Sequence, residues 1–456
     1  MPHPPFRRVL IANRGEIALR VVRACERQGI ETVVAVSDAD RDSMAARCAT
    51  RSVCIGPAPA SQSYLRPELM VMAAKGTGCE AVHPGYGFLS ERAAFPRLCA
   101  QAGIVFIGPS PEAIEAMGDK LSAVRLAVEA GVPRVPGSGL IGNAGDANAF
   151  AKEHGFPVLI KASAGGGGRG MRIVRSAGDL ERALGAAAAE AKAAFGDPSL
   201  YMEKFIERAR HLEIQVLGDS HGTVVHLGDR DCSTQRRHQK LIEEAPSPVV
   251  NAKLRTELAE ASLRLARRVG YQGAGTVEFV FDEDTSSWYF LEMNTRIQVE
   301  HPVTEMTTGQ DLVVEQIRIA AGLPVSFSQA QVAFEGHAIE CRINAEDPAR
   351  NFAPGPGRLT AWEPPQMPGI RVDSHCYPGY LVPPFYDSLL AKVIAHGRNR
   401  TEAIARMAAA LGQFRVEGVP TTIPFHLQVL AHPDFKDARI TTRWVEERFL
   451  AVQANR

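Results

Sequence analysis

FPVLIKAS (156–163), AGGGGRG (164–170) and MRIVRS (171–176) form the stretch on which the reading of the fold turns. The flanking segments are apolar and β-branched, so they predict two strands. Between them lie seven residues, five of them glycine, more than the roughly 2–5 residues of an ordinary hairpin loop. A P-loop would need Gly-Lys-Ser/Thr followed by a helix; here a strand follows and no such tripeptide occurs. Backbone N–H groups of such a run can close over phosphate, because no Cβ blocks the approach. Lys161, at the end of the first strand, adds a point charge suited to phosphate. Lys120, in MGDK (117–120), is ambiguous by itself, since surface lysines are common.

Downstream, TVEFVF (276–281) and WYFLEMN (288–294) predict a hairpin turning through 283–287. That turn sets Glu278 opposite Glu292, and two facing carboxylates destabilise a ladder by about 0.2–1 kcal/mol. Asn294 shares the face of Glu292. A cation between these oxygens would relieve the repulsion, and few hard oxygen ligands suit Mg²⁺ or Mn²⁺ bridging to nucleotide phosphates. Arg296, Gln298 and Glu300 continue the period of two and would point the same way if the strand persists. His301 precedes Pro302 and is expected extended. A cation, an amide and a carboxylate converging beside a metal would make a pocket for a small anion and a base. The same alternation equally suits a solvated edge strand. The basic run Arg236-Arg237-His238-Gln239-Lys240 is too short to decide anything alone.

Toward the amino terminus, RRVLIAN (7–13), a helix opened by Gly15 and Glu16 and closed by Gly29, and ETVVAV (31–36) make a βαβ unit. EAVHP (80–84) and IVFIG (104–108) continue it as an open parallel sheet. Toward the carboxyl terminus, HAIECRIN and YDSLLAKVIAHG read as strands, followed by a helix capped by Thr401. The expected organisation is a Rossmann-like domain over 1–115, a central domain over 116–330 with its lid at about 133–204, an α+β domain over 331–446 and a tail over 447–456. Length alone suggests about three domains for 456 residues. Lys plus Arg and Asp plus Glu both number 51, a balance that argues against a nucleic-acid partner. No run of about 18 apolar residues occurs, and the eight cysteines form no C-x-x-C pair. A cytoplasmic protein with no membrane span is expected.

The motifs IANRGEIALR (11–20), HPGYGFLSE (83–91), MGDK, GGGGRGM (165–171), MEKF (202–205), DCSTQRRHQK (231–240), EMNTRIQVEHPVTE (292–305), ECRINAEDP (340–348) and PPFYDS (383–388), in this order, closely resemble the biotin carboxylase family of ATP-grasp ligases. The resemblance implies a central ATP-grasp domain with a glycine-rich lid and a characteristic C-terminal domain. It implies carboxylation of protein-bound biotin by bicarbonate and ATP through carboxyphosphate, the first half-reaction of acetyl-CoA carboxylase or a related enzyme. By resemblance Lys120, Lys161, Gly167, Gly168, His211, Gln235 and His238 contact nucleotide, and Glu203, Lys204, Phe205 and Ile206 line its adenine pocket. Glu278, Glu292 and Asn294 hold metal, with two ions expected. Lys240, Arg296, Gln298 and Val299 bind bicarbonate, Glu300 is its base, and Arg342 and Tyr86 face biotin. The implied partners are a biotinylated carrier protein and a carboxyltransferase subunit, because no lysine flanked by methionines occurs. Three departures stand out: Ala164 where relatives have glycine, a hairpin turn about two residues longer, and Arg27 where dimer-forming relatives place an acid. A homodimer is therefore implied only as a possibility.

Overall fold

The computed structural model describes residues 5–163 and 171–451, so the glycine-rich segment 164–170, with Gly167 and Gly168, lies outside the described residues. The chain divides into two compact units. Met1–Val132, Arg210–Phe279 and Leu291–Arg456 form the first; Pro133–Ala209 and Val280–Phe290 form the second.

In the first unit, β1 (Arg8–Ile11), β2 (Glu31–Ser37), β3 (Arg51–Gly56), β4 (Ala81–His83) and β5 (Val105–Phe106) make a sheet in the order β3-β2-β1-β4-β5. Every neighbouring pair is parallel, with Val9 opposite both Thr32 and Ala81. Val9, Leu10 and Ile11 are wholly buried, as a central parallel strand covered on both faces requires. α1 (Gly15–Arg27) follows β1, and its first residue takes φ +67°, which glycine alone adopts without strain. The strand order reverses between β1 and β4, the usual place for a ligand crevice in such sheets. There Asn13 Nδ2 donates to the carbonyls of Pro84 and Tyr86, both at 2.7 Å. A cavity of about 120 Å³ opens beside them, lined by Glu16, Tyr86, Phe88 and Asp387 among others.

The second unit is an antiparallel sheet of β6 (Gly137–Leu140), β7 (Val158–Ala162), β8 (Arg172–Val174) and β9 (Leu200–Lys204), ordered β6-β9-β7-β8. Val158, Ile160 and Ala162 turn inward against Phe150, Leu180 and Leu184 of two helices, Ala144–His154 and Ala177–Phe195. Lys161, between them, faces outward.

An eight-stranded sheet carries most candidate site residues. Its strands are β10 (Ala209–Gly218), β11 (Val224–Arg236), β12 (Gln239–Ala245), β13 (Gly273–Asp282), β14 (Ser287–Asn294), β15 (His337–Asn344), Leu389–Gly397 and Ile370–Ser374. The order is β14-β13-β10-β11-β12-β15, then Leu389–Gly397 and Ile370–Ser374. Behind its last strands, the helix Arg400–Gln413 packs Ala403, Met407 and Leu411 into a core with Ile339, Val393 and Trp362.

Three local expectations are corrected. The strand does not persist past Asn294: residues 295–300 form an irregular turn, whose side chains converge without strand geometry. His301, expected extended, is the first residue of the helix His301–Thr308, where Pro302 sits in the first turn and needs no N–H partner. The C-terminal helix is capped by Asn399, whose side chain accepts from the Glu402 N–H, and Thr401 lies inside it.

Candidate active site

Adjacent strands of the eight-stranded sheet aim charged side chains into one buried cluster. Glu213 on β10 is the ladder partner of Arg230 on β11, and the two form an ion pair with no solvent exposure. Such a pair is stable only when its remaining valences are filled. Arg230 also donates to Gln215, Thr304 and Thr276. Lys240, on β12, reaches Glu213 (2.7 Å), Glu278 (2.9 Å) and Glu300 (2.7 Å). Burial alone would lower its pKa, but Cys232 and these three carboxylates hold it well above its ordinary value.

Glu300 ends the turn that follows β14. Its second oxygen accepts from Arg342 Nη2 at 2.9 Å. Although burial disfavours its charge, Lys240, Arg342 and Arg230 keep this carboxyl well below the usual range, so it is ionised at neutral pH. Arg296, in the same turn, donates to Gln298 and Asn294, each at 2.9 Å, and to Glu91 at 2.8 Å. Gln298 in turn donates to Glu278 at 3.1 Å. The turn is thus fixed by side-chain hydrogen bonds, among them those from Thr295 N–H and Arg296 to Glu91, rather than by a ladder.

The hairpin carboxylates have unequal surroundings. Glu278 is buried, 3.0 Å from His211 Nε2; despite desolvation, Lys240 and His211 hold its pKa far down. Glu292 is exposed, and its carboxyl is pushed up, first by the partial desolvation around it and then by Glu278 and Glu91. Mutual repulsion with Glu278 is what a divalent cation would relieve; the Asn294 side-chain oxygen, the atom that could join them as a ligand, accepts from Arg296 at 2.9 Å. These hard donors fit such an ion. His211, Glu213 and Glu278 also place ligand atoms within 4.8 Å of one another.

Arg342, on β15, joins Glu300 to Glu243, to which its Nε donates at 2.5 Å. Tyr86 donates to Glu16 in the first turn of α1. Gln235 donates weakly to the Cys232 carbonyl at 3.4 Å. His238 lies exposed in the β11–β12 turn with φ +62°, and Lys120 is exposed at a helix start.

In the second unit, Lys161 pairs with Glu203 across the β7–β9 ladder and lies 5.8 Å above the Tyr201 ring. Lys204 donates to the Phe156 carbonyl at 3.0 Å, and Phe205 N–H to Pro157 at 3.1 Å. Phe205 and Ile206 follow β9, half-buried.

Sequence reasoning missed Glu213, Arg230, Glu243, Glu91 and Lys392. The available signal was a charge within an otherwise apolar strand, as in HLEIQVLG and LLAKVIAHG. The face of α1 bearing Arg20, Arg23 and Arg27 also reads differently in three dimensions. Arg20 is buried on Glu305 and Asp311, and Arg27 pairs with Asp311.

Three family models together span nearly the whole chain: biotin carboxylase N-terminal domain over residues 5–114, carbamoyl-phosphate synthase L chain ATP-binding domain over 119–327, and biotin carboxylase C-terminal domain over 340–447. Biotin carboxylase 1 of Bacillus subtilis is 52% identical over 97% of this chain and 98% of its own. Among solved structures, the biotin carboxylase subunit of pyruvate carboxylase matches with TM-score 0.90 and 47% identity, covering 98% of each chain. The biotin carboxylase domain dimer of Hydrogenobacter thermophilus 2-oxoglutarate carboxylase, in complex with MgADP, ADP and bicarbonate, matches with TM-score 0.85 and 48% identity, covering 97% of each chain. Identity of this order along the full length, together with the open parallel sheet and the sheet-borne charge cluster, places the assignment beyond fold likeness: the chain belongs to the biotin carboxylase family of ATP-grasp ligases, enzymes of ATP-dependent biotin carboxylation.

Proposed function

We propose that this chain carboxylates biotin on a separate carrier protein, as the first half-reaction of an acyl-CoA carboxylase, with acetyl-CoA as the final acceptor. The observation that carries the reading is the buried chain Lys240–Glu300–Arg342, with Arg296 beside it. It sets an ionised carboxylate between the Lys240 ammonium and the Arg342 guanidinium.

In this reading Lys240, Arg296, Gln298 and the Val299 backbone bind bicarbonate. Glu300 is held ionised by Lys240 and Arg342. An arriving anion shares those cations, which raises the proton affinity of Glu300 and lets it take the bicarbonate proton. The bicarbonate oxygen then attacks the γ-phosphorus as the bond to ADP breaks, giving carboxyphosphate. The carbon–oxygen bond to phosphate breaks, the released phosphate takes the proton of the ureido nitrogen of biotin, and that nitrogen bonds to the carboxyl carbon, while Arg342 faces the ureido oxygen, where charge develops as the proton leaves. Tyr86 borders the same space. Glu278, Glu292 and Asn294 would hold Mg²⁺ or Mn²⁺, at up to two sites, which supplies charge neutralisation between nucleotide phosphates. Lys120, Lys161, Gly167, Gly168, His211, Gln235 and His238 contact the nucleotide, and Glu203 to Ile206 border adenine. Lys161 pairs with Glu203, and a nucleotide phosphate would draw the lysine from that carboxylate.

The partners proposed are a biotinylated carrier, a second copy of the chain and a separate carboxyltransferase, acting in cytoplasmic fatty-acid biosynthesis. Among the described residues no helix is long and apolar enough to cross a membrane.

The test is bicarbonate-dependent ADP release with and without free biotin. Stimulation by biotin is expected; a ligase for another carboxylate would ignore biotin, and a nucleotide-sensing regulator would bind ATP without turnover. Offering carboxylated carrier to matched carboxyltransferases for acetyl-CoA, pyruvate and 2-oxoglutarate assigns the acceptor, and exclusive transfer to either oxo acid overturns the acyl-CoA assignment.

A further inference from the structure

Lys392 lies in the middle of the strand Leu389–Gly397, opposite Arg342 on one side and Asp373 on the other. It has no solvent exposure. A buried ammonium is costly unless its donors are all used. Here Nζ donates to the Val299 carbonyl at 2.9 Å and to Glu16 Oε1 at 3.1 Å, with Asp373 at 4.0 Å. Asp373 is already held by Nε and Nη2 of Arg371, so its charge has another partner. The first two bonds are the informative ones.

Val299 sits in the irregular turn between β14 and the helix His301–Thr308, where no ladder fixes the backbone. Its two flanking peptides are tied from outside. The Gln298 carbonyl accepts from His301 Nδ1 at 2.8 Å, and the Val299 carbonyl accepts from Lys392. Glu16, the other partner of Lys392, is the acceptor of the Tyr86 hydroxyl. One ammonium therefore joins the peptide that leads into Glu300 to the carboxylate that orients Tyr86.

We infer that Lys392 is a positioning residue: it fixes the Val299–Glu300 peptide for bicarbonate and holds Glu16, and through it Tyr86, in register with that turn. The inference rests on the function proposed above. Removing the ammonium frees the peptide to rotate, which displaces both the Val299 backbone and the start of the Glu300 side chain. The nucleotide site has no direct contact with this lysine among the residues assigned to it.

The experiment compares wild type with Lys392→Met/Glu16→Gln, which removes both buried charges together, and with Lys392→Arg, which keeps the charge while moving the donor. Bicarbonate KM, ATP KM, kcat, the ratio of biotin-stimulated to unstimulated ADP release, and Tm are measured on each. A charged hydrogen bond is worth roughly a factor of ten or more, so the double variant should raise bicarbonate KM by about tenfold or more while ATP KM stays within about twofold. Lys392→Arg should fall between the two with near-native Tm, and it alone decides the matter if the double variant does not fold. Tm loss with bicarbonate KM unchanged, or bicarbonate and ATP KM rising in proportion, overturns the positioning role and leaves the proposed function standing. Absence of any biotin-stimulated turnover in wild type overturns both.

Discussion

Replacing Arg342 by methionine should separate a structural cost from a chemical one. The guanidinium holds two buried carboxylates, Glu243 at 2.5 Å and Glu300 at 2.9 Å. Glu300 keeps Lys240, whereas Glu243 has no other hydrogen-bond partner, its second oxygen being unpaired among the described residues. Breaking a buried pair from one side costs about 3–5 kcal/mol when the orphan stays charged. Glu243 need not stay charged. Burial already pushes its carboxyl up, and Arg342 is the main influence opposing that, so the orphan binds a proton and the cost falls to about 1–3 kcal/mol, that of an unsatisfied neutral group. On the chemical side, losing a fixed donor to a developing oxyanion costs about 10²–10³ in rate, or about 2.7–4 kcal/mol. Arg342→Met/Glu243→Met distinguishes the two. An apolar side chain at 243 leaves no unsatisfied buried polar group, so the double variant should regain most of the Tm lost by the single one. Its biotin-stimulated rate should remain down by about 10²–10³, while the slow biotin-independent, bicarbonate-dependent ATPase largely persists. Melting temperature and ADP release with and without biotin are the assays. Recovery of both stability and biotin-stimulated rate in the double variant, or parallel loss of both rates in the single one, would refute the reasoning.

Glu292→Gln should fold normally, since the residue is exposed, yet need about tenfold or more Mg²⁺ for half-maximal turnover because a hard-cation site loses a charge; an unchanged magnesium titration removes Glu292 from the metal site. His426 is buried against the Arg342 carbonyl at 2.7 Å, and desolvation lowers its pKa from 6.5 to about 4. The folded value lies below the unfolded one, so its contribution is fully present above pH 6.5 and is lost as pH falls toward 4, by up to about 3 kcal/mol. His426→Gln should flatten the pH dependence of the urea midpoint by that amount over this window, and a parallel curve for variant and wild type would contradict the assignment.

What the sequence made legible follows from how local each feature is. β1 and β2 could be read because a strand buried on both faces must be apolar throughout, and Val9 to Ile11 and Val33 to Val36 are. The repulsion of Glu278 and Glu292 could be read from hairpin length alone; after desolvation, Glu278 is the next influence that pushes the Glu292 carboxyl up. The turn 295–300 could not, because side chains spaced two apart look like a strand whether or not a ladder exists. Its shape comes instead from Glu91, more than two hundred residues away in sequence, which accepts from both Thr295 N–H and Arg296. Asn399 displaced Thr401 as helix cap for the converse reason: both can cap, and the backbone chooses by a shift of two residues. Arg230 and Lys392 were illegible as functional candidates, since a single charge in an apolar strand acquires meaning only from the partners that long-range register brings to it.

The eight-stranded sheet also carries a consequence for how the molecule comes into being. Its strands β10 to β14 leave the ribosome long before β15 and Leu389–Gly397, yet β12 pairs directly with β15. Until those later strands arrive, β12 ends the sheet as an open edge, with Glu243 and Glu244 waiting for Arg342, His337 and Arg400. Two carboxylates along an unpaired edge discourage another chain from adding there. The charges that complete the site after synthesis thus guard the nascent sheet against mispairing before it.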